Sequence, residues 1–500
     1  MNFTVSLSRG FCYTFGAGRE GLPPSSESFI LMAYVYSTSR EDIVITGISC
    51  RFAEAGDPRS FWRRILAGQS SFVPFGGEMD ESVSGKPIFD RTFPDFAARL
   101  GELYACSASD QYFPREMNAG ENHDLFFAVQ LVCDALRDGG MQPRNLPTDR
   151  ISLRLGYAPP FNTASVNWLQ HTFFLEQAVG LIQKFFPGAT PSQLSEIRER
   201  LGASLPEPNA YSFLSALGSM TAAWTAHLLG FAGPAFVLDA GVVSAHQALQ
   251  GAMDDLSARR CDIALAGALQ PPLTSAFIQG LSGTCSFSSS RRIQPFGRDA
   301  TGTLPGEGGA VFVLKRLKDA LKSGDRIYAI VRSTGIVAAS LDLRQRVPAP
   351  ERLDRAYRRA FRASDVAPES VQLFEAHGSG VPHTDQVELD VLFDLLGTRA
   401  PGTPLAGIGS VKGNFGHTLW AAGAAGLAKA AIAISEKLLP PTVGVDHPYV
   451  RLLSPRSPAY LLSEVRPWLR GNKKDPRRAC VAAIDFTGTC AVAVLEEYPE

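Results

Sequence analysis

The sequence predicts a mixed α/β fold in which one plan of alternating strands and helices occurs twice. Apolar runs of strand length alternate with helical apolar spacing along most of the 500 residues. At residues 235–256, an apolar run passes into helical spacing through a turn of about three residues. Residues 373–439 then repeat the order of strand, loop, helix, strand and helix. We therefore expect a layered sandwich built from two similar halves.

The first half is expected to cover residues 41–260. Asp57 followed by Pro58 is typical of a helix start, and Gly68 is suited to end that helix. The remaining elements predicted here are strands over 42–47 and 151–157, a helix over 124–138, an insertion over 161–211 with helical patterns at 166–186 and 192–203, a buried strand over 235–238 and a helix over 244–256.

The second half is expected to cover residues 261–498. Its predicted elements are strands over 263–267, 310–314, 327–334 and 373–376, a helix over 387–396 and an Ala/Gly-rich helix that ends near residue 439. Residues 1–39, which are rich in Gly, Ser and Pro, are expected to form a poorly ordered extension.

Composition excludes several classes of function. A hydrophobic share of 45% and a net charge of -1 predict a soluble globular chain without the basic stripe of a nucleic-acid-binding protein. The eight cysteines form no CxxC pair and no Cys/His ligand spacing, so we expect no metal site and reduced thiols in a cytoplasmic protein. The apolar run at 29–36 is too short to span a membrane.

The elbow between the strand at 235–238 and the helix at 244–256 is the feature around which the chemistry is predicted. Backbone N–H groups at a helix N-terminus favour a developing negative charge, and tight strand-to-helix turns of this kind carry nucleophiles in hydrolases. In this chain the position holds Val242, which has no nucleophilic atom.

Four stretches resemble the β-ketoacyl synthases, the ketosynthase domains of polyketide and fatty-acid synthases. They read IVITGISCRF followed by DPRSFW, LDAGVVSAHQAL at the elbow, PFGRDATGTLPGEG and GIGSVKGNFGHT. The resemblance covers roughly residues 41–498 and implies the thiolase fold, a duplicated sandwich with α-β-α-β-α layers. The insertion at 161–211 loosely resembles that of the ketosynthases and chain-length factors of polyunsaturated fatty-acid and enediyne synthases.

The resemblance places the family's catalytic cysteine on Val242 and its two active-site histidines on His377 and His417. Paired imidazoles that donate to one carbonyl oxygen would stabilise the enolate formed when a malonyl thioester loses carbon dioxide, and this step needs no cysteine. Lys412 and Glu388 match the family's lysine and acid, which would orient the histidines. An ordinary salt bridge is the alternative for these two residues.

The resemblance also implies how a substrate would be held. Ser379 falls on one of two threonines that bind the phosphopantetheine arm, whereas the other position holds Val381. Phe486 falls on the gating phenylalanine, whose backbone N–H together with that of Val242 would bind the thioester oxygen. Asp485 and Thr487 replace the glycines that flank Phe486, so we expect a stiffer gate.

Three functions remain open at this stage. The first is a ketosynthase-like enzyme that decarboxylates, or transfers without a covalent intermediate, the acyl group of an acyl carrier protein. The second is a non-catalytic partner of an active ketosynthase, like a chain-length factor. The third is a condensing 3-oxoacyl synthase with an unrecognised nucleophile, for which Ser244 and Cys490 are the candidates.

The retained histidines, lysine and acid favour the first of these functions. The expected partners are an acyl carrier protein, which brings phosphopantetheine, and a second subunit in a homodimer or a heterodimer with a ketosynthase. No bound cofactor, nucleic acid or membrane is expected.

Overall fold

The computed structural model describes residues 4–7, 11–14, 41–74, 96–98, 123–142, 146, 148–158, 162–205, 214, 216–338, 349–398, 405–470 and 475–499. The chain forms two compact units, residues 1–41 and 42–500. In the first unit, β1 (Thr4–Leu7) and β2 (Phe11–Thr14) pair as an antiparallel hairpin. The other residues of the poorly ordered extension predicted over 1–39 lie outside the described residues.

The strands of the second unit include the predicted ones and several that were not predicted from the sequence. They are β3 (Ile43–Phe52), β4 (Phe72–Pro74), β5 (Phe96–Ala98), β6 (Ile151–Gly156), β7 (Ala235–Leu238), β8 (Ile263–Gln270), β9 (Gly308–Arg316), β10 (Ala329–Val337), β11 (Leu373–Glu375), β12 (Ala406–Gly409), β13 (Leu438–Leu439), β14 (Ala459–Leu461), β15 (Arg466–Pro467), β16 (Arg478–Ile484) and β17 (Cys490–Glu496).

Helices lie between these strands, and the first one shows the predicted start. The side chain of Asp57 accepts hydrogen bonds from the N–H groups of Arg59 and Ser60, and Pro58 is the first helical residue. The α-helices are α1 (Pro58–Leu66), α2 (His123–Asp138), α3 (Thr163–Leu169), α4 (Leu175–Phe185), α5 (Pro191–Ala203), α6 (Gly218–Leu229), α7 (Ser244–Ser257), α8 (Ser275–Ser282), α9 (Leu317–Ser323), α10 (Pro350–Ser364), α11 (Pro382–Leu396), α12 (Lys412–Phe415), α13 (Ala422–Glu436) and α14 (Val450–Leu453).

One large mixed sheet contains the duplication. Its order is β14-β12-β11-β16-β17-β10-β3-β9-β8-β6-β7. On either side of the β10–β3 pair, five strands are arranged as first, fifth, fourth, second and third in their chain order, with the same sequence of antiparallel and parallel pairs. Strand β14 is an additional strand that pairs with β12 at the edge of the second half. The two predicted halves are therefore present.

The divide between the halves lies later than expected. Strands β8 and β9 were assigned to the second half by a boundary at residue 260, but β8 pairs with β6 and β9 pairs with β3, both in the first half. The boundary falls between β9 and β10. Sheet order is a long-range property, so local sequence patterns do not fix it.

The central core explains the Ala/Gly-rich sequence of α13. Helices α7 and α13 both contribute to the largest buried cluster, together with strands of both halves. A Cβ atom at Gly423 would lie 2.7 Å from Nδ1 of His246 on α7, and one at Gly426 would lie 3.0 Å from Val481. Small residues are required because the helix packs closely against its neighbours.

Strand β7 differs from its prediction as a buried strand. It is the last strand of the sheet order, and its side chains are half-exposed or exposed, including that of Phe236. An apolar run of four residues does not distinguish a central strand from an edge strand.

Among the described residues, no helix is long and apolar enough to cross a membrane.

Candidate active site

The elbow that follows β7 is a tight turn stabilised by its own polar groups. Residues Gly241–Val243 form a short 3-10 turn that leads directly into α7, and Gly241 adopts a φ of 57°. The Ser244 hydroxyl accepts the Ala240 N–H at 2.9 Å and donates to the Gly241 carbonyl at 2.7 Å. This hydroxyl therefore has a structural role as a cap of the turn.

Val242 lies at the centre of this elbow and is packed in hydrocarbon. Its side chain is 1% exposed and belongs to a small buried cluster whose other members are Val243, Ala422, Ala483 and Ala491. These residues bring together the elbow, the start of α13 and the strands β16 and β17. Aliphatic contacts fill the position at which the resemblance places a nucleophilic sulfur.

The backbone N–H of Val242 is also engaged, contrary to the prediction that it would be available to a thioester oxygen. It donates to Oδ1 of Asp485 at 2.9 Å. Oδ2 of the same carboxylate accepts the N–H of Thr487 at 2.9 Å and its hydroxyl at 2.6 Å. In the sequence, Asp485 and Thr487 stand in place of the family's glycines. These replacements predict a stiffer gate, but they do not predict the hydrogen bond to Val242.

The two predicted histidines come together at the ends of neighbouring segments of the second half. His377 follows β11 and His417 follows α12, and their ring centroids are 5.3 Å apart at an angle of 72°. Nδ1 of His377 accepts the Ile484 N–H at 3.3 Å, and Nδ1 of His417 accepts the Leu419 N–H at 3.2 Å. With Nδ1 as the acceptor, each neutral ring carries its proton on Nε2.

Burial and charge keep both rings neutral. His377 is 4% exposed and His417 is 1% exposed. Burial lowers the pKa of both groups well below the usual value, and the positive charge of Lys412 lowers it further. Nε2 of His417 is buried without a hydrogen-bond partner among the described residues. A buried donor without a partner costs free energy that a ligand acceptor would recover.

Lys412 and Glu388 hold the backbone of His377. The Lys412 ammonium donates to the carbonyl of His377 at 2.6 Å. The two carboxylate oxygens of Glu388 accept the N–H groups of His377 and Gly378 at 2.7 and 2.8 Å. Burial lowers the pKa of Lys412 to about 8 and raises that of Glu388 to about 7. Both side chains therefore act on the peptide that carries the imidazole.

Asp385 is a further buried acid that sequence reasoning did not single out. It accepts the N–H groups of Phe296, Ser379 and Gly380 at 2.8 to 3.0 Å, and burial raises its pKa to about 6. It lies three residues before Glu388 on α11, so both carboxylates point from one helix face. The spacing of three residues between Asp385 and Glu388 could have indicated from the sequence that both acids belong to the site.

Ser379 uses its hydroxyl within the loop. The hydroxyl donates to Asp385 at 3.0 Å and accepts the Val381 N–H at 3.2 Å, and the residue is buried. Its role in binding phosphopantetheine remains a prediction.

Glu375 and Lys429 form a second buried acid–base pair nearby. Their charged atoms are 2.7 Å apart, and Glu375 also accepts the Val411 N–H at 2.6 Å. This pair joins the end of β11 to α13 and holds the Val411 peptide, directly before Lys412. Neither residue was predicted as part of the site, since each lies within a stretch that reads as core.

Phe486 covers His417. The two rings stack with centroids 5.6 Å apart, and Phe486 is 39% exposed whereas the histidine beneath it is buried. Three described surface cavities, with volumes of about 540, 380 and 920 Å³, are lined by residues other than the two histidines. Because the Phe486 ring stacks on His417, movement of Phe486 would uncover the imidazole beneath it.

Three consecutive residues link all parts of the site. The Ile484 N–H contacts His377, the Asp485 carboxylate contacts Val242, and the Phe486 ring contacts His417. The elbow of the first half and the histidines of the second half are thus parts of one site.

The candidate nucleophile Cys490 is buried, and burial raises the pKa of its thiol to about 12, which leaves it unreactive near neutral pH.

Comparison with known proteins gives a consistent family. A model described as "Beta-ketoacyl synthase, N-terminal domain" matches residues 40–320, and one described as "Beta-ketoacyl synthase, C-terminal domain" matches residues 328–446. The chain is 28% identical over 465 residues to the spectinabilin polyketide synthase system protein NorA' of Streptomyces orinoci. That alignment covers 92% of this chain but only 12% of the relative.

Solved structures show the same fold. A ketosynthase from module 6 of the bacillaene synthase of Bacillus subtilis 168 superposes with a TM-score of 0.72 at 24% identity, covering 91% of this chain and 72% of that one. The structure titled "PfaC Keto synthase-Chain length factor" gives a TM-score of 0.75 at 24% identity, covering 92% of this chain and 48% of that one. The predicted thiolase fold is confirmed, and the chain belongs to the β-ketoacyl synthase family.

Proposed function

We propose that this chain decarboxylates a malonyl-type thioester carried by an acyl carrier protein, without forming a covalent acyl-enzyme. The observation that carries the proposal is the pair of neutral imidazoles of His377 and His417. Nε2 of His417 is buried and has no hydrogen-bond partner among the described residues. Such donors suit an oxygen on which negative charge develops in the transition state.

The reaction follows from these donors. The bond between the malonyl α-carbon and its carboxylate breaks and releases carbon dioxide. The electron pair moves into the thioester carbonyl and forms an enolate, whose oxygen accepts hydrogen bonds from Nε2–H of both rings. Water then supplies a proton to the α-carbon, which leaves an acetyl thioester on the carrier. Lys412 and Glu388 act as positioning residues through the His377 backbone.

Condensation is disfavoured by the same geometry. A covalent acyl intermediate needs a nucleophile, and Val242 supplies none. Ser244 caps the elbow and Cys490 is a buried, protonated thiol, so neither replaces it. Direct acyl transfer between two bound substrates would still need donors for a tetrahedral oxygen, and the Val242 N–H is already paired with Asp485.

The biochemical setting is proposed from the relatives, which are polyketide synthases. We place the reaction in polyketide or fatty-acid biosynthesis in the cytoplasm, with phosphopantetheine brought by the carrier protein. We also propose a dimer. The outer backbone edge of β7 ends the sheet order, and an edge strand of this kind can pair with a second subunit.

The test is to incubate the full chain with malonyl-loaded acyl carrier protein and to follow the carrier by mass spectrometry. The expected result is conversion of malonyl to acetyl carrier by the wild type and loss of that activity in His377→Ala. His447→Ala is the matched control, because His447 is an exposed histidine whose side chain pairs with Asp299, and this variant should behave like the wild type. Wild-type protein that leaves the malonyl group intact would contradict the proposal.

A second candidate is a non-catalytic partner that resembles a chain-length factor. It is favoured by the hydrocarbon packing of Val242, by the burial of both histidines and by the structural similarity to the protein titled a keto synthase-chain length factor. Absence of decarboxylation combined with stable co-elution with a cysteine-bearing ketosynthase in size-exclusion chromatography would select this function.

A further inference from the structure

We propose that Asp485 determines which thioester chemistry this chain supports. Its carboxylate fills the anion position beside the Val242 N–H and thereby excludes acyl transfer at the elbow. The inference rests on the proposed thioester function and adds to it a specificity-determining residue, one that separates decarboxylation at the histidines from acylation at the elbow.

The position of Val242 explains why an anion fits there. The residue lies where β7 passes into α7, a helix of 14 residues, and the first N–H groups of a helix lack intrahelical acceptors. The helix dipole adds a partial positive charge at the same end. An acyl-transfer site at this position would aim such a donor at the oxygen of the tetrahedral intermediate. In this chain the donor is bound to a carboxylate of the protein itself.

The Asp485 carboxylate is fixed in place. Oδ2 is held by the N–H and the hydroxyl of Thr487. The backbone of the same residue closes a turn, since the Asp485 N–H donates to the Thr489 carbonyl and the Gly488 N–H donates to the Asp485 carbonyl, both at 2.8 Å. A buried side chain with this many partners does not swing away at low cost.

Gly241 is complementary to this carboxylate. A Cβ atom at position 241 would lie 2.0 Å from Oδ1 of Asp485, and the φ of 57° favours glycine in any case. The elbow therefore has space for the carboxylate because this residue has no side chain. The two positions are far apart in the sequence and meet only in the folded chain.

Two effects exclude a reacting oxygen from this place. The carboxylate uses the N–H that the oxygen would need, and its negative charge repels a second anion at short range. Neither effect involves the Nε2 atoms of His377 and His417. The structure can therefore support enolate formation while it prevents a tetrahedral intermediate at residue 242.

The test restores a nucleophile and then removes the carboxylate. Three variants are compared: Val242→Cys, Val242→Cys with Asp485→Ala, and Val242→Cys with Asp485→Asn. Each is incubated with butyryl-N-acetylcysteamine, and the acylated protein is quantified by intact-protein mass spectrometry. In the measured step, the introduced sulfur bonds to the butyryl carbon, the bond to the N-acetylcysteamine sulfur breaks, and the thiol proton passes to the leaving sulfur.

We expect the variant with Asp485→Ala to acylate at least tenfold faster than Val242→Cys alone. The variant with Asp485→Asn should acylate at a rate between those of the other two, because its amide oxygen can still accept the N–H at residue 242 but carries no negative charge. Rapid acylation of Val242→Cys alone would overturn the proposal.

Two controls keep the result interpretable. Alkylation by iodoacetamide verifies that the introduced thiol is reachable, and circular dichroism verifies folding, with Asp485→Gly as the replacement if Asp485→Ala does not fold. Folded, alkylatable variants without the carboxylate that acylate no faster than Val242→Cys would also overturn the proposal. Butyryl-N-acetylcysteamine has no carboxylate to lose, so this outcome is independent of whether the wild type decarboxylates malonyl carrier.

Discussion

The elbow of the first half and the lysine–histidine segment of the second half follow equivalent strands of the duplicated sheet, but their polar groups are used in opposite ways. The elbow follows β7, the third strand of its half, and Lys412 follows β12, the third strand of the other half. At the elbow, the Val242 N–H is satisfied by Asp485. In the second half, Nε2 of His417 is left without a described partner.

The difference shows that the elbow and the histidines have separate supports. The histidine segment depends on buried charges, Lys412 and Glu388, that contact the backbone of His377. The elbow depends on close packing of small residues and one carboxylate. Loss of a nucleophile at residue 242 therefore leaves the supports of the imidazole pair in place, since none of them passes through the Val242 side chain.

The largest expected effect is on the histidine side. His417→Ala removes a donor to the proposed enolate oxygen and should lower the rate of malonyl decarboxylation by about 10²–10³-fold. His417→Gln keeps an N–H donor and should retain part of the activity. Initial rates of carbon dioxide release, with His447→Ala as the control, measure the effect. A decarboxylation rate in His417→Ala within about threefold of the wild-type rate would show that the imidazole of His417 is not used as a donor.

Lys412→Met should give the next largest effect, a fall in rate of about tenfold to 100-fold, because the His377 carbonyl loses its charged partner and the ring is less well placed. Removal of the positive charge should also raise the pKa of both His377 and His417, which its charge lowers.

The matched control is Lys318→Met, a substitution of an exposed lysine on α9. NMR titration of the histidine Cε1–H signals separates this electrostatic role from a purely structural one. Unchanged histidine titration in Lys412→Met would mean that the lysine acts on stability alone.

On the elbow side, Gly241→Ala should lower the free energy of unfolding by about 2 kcal/mol, because the new Cβ meets Asp485 and the φ is unfavourable for alanine. Adding Asp485→Gly should recover part of this loss, since it removes the clash but not the backbone strain. Urea unfolding of the four proteins forms a double-mutant cycle. Strictly additive losses would show that the two residues do not interact.

The smallest effect is a difference in pH dependence between the wild type and His417→Gln. The pKa of each buried histidine is lowered in the folded chain, so the unfolded chain binds more protons below the unfolded value of 6.5. The stability due to these groups is present above that pH and is lost as the pH falls below it. The slope approaches about 1.4 kcal/mol per pH unit for each histidine.

As the pH falls below 6.5, the free energy of unfolding of His417→Gln should therefore decrease less steeply than that of the wild type. The difference in slope should be about 1.4 kcal/mol per pH unit, because the variant lacks one of the two histidines. Asp385 and Glu388, whose pKa values are raised, act in the opposite direction in part of the same range, but they are common to both proteins and cancel in the comparison. Urea unfolding between about pH 5 and 7 provides the measurement. Parallel curves would show that His417 is not buried as a neutral ring.

Much of the fold follows from local patterns. The strand at Ala235–Leu238, the capped helix after Asp57 and the insertion helices were predicted close to their observed bounds, because apolar period and capping residues are local signals. The edge position of β7 and the boundary between the halves were not, because both depend on which strands pair across the sheet.

The sequence by itself determined that no nucleophilic atom stands at residue 242 and that His377, His417, Lys412 and Glu388 are present, since these are properties of residue type. Only the tertiary structure decided how they are used. The Asp485 carboxylate reaches the Val242 N–H because Gly241 leaves room for it, and Lys412 and Glu388 act on the His377 backbone. Hydrogen bonds between residues far apart in the chain depend on distance and direction, and these exist only once the two halves have folded against each other.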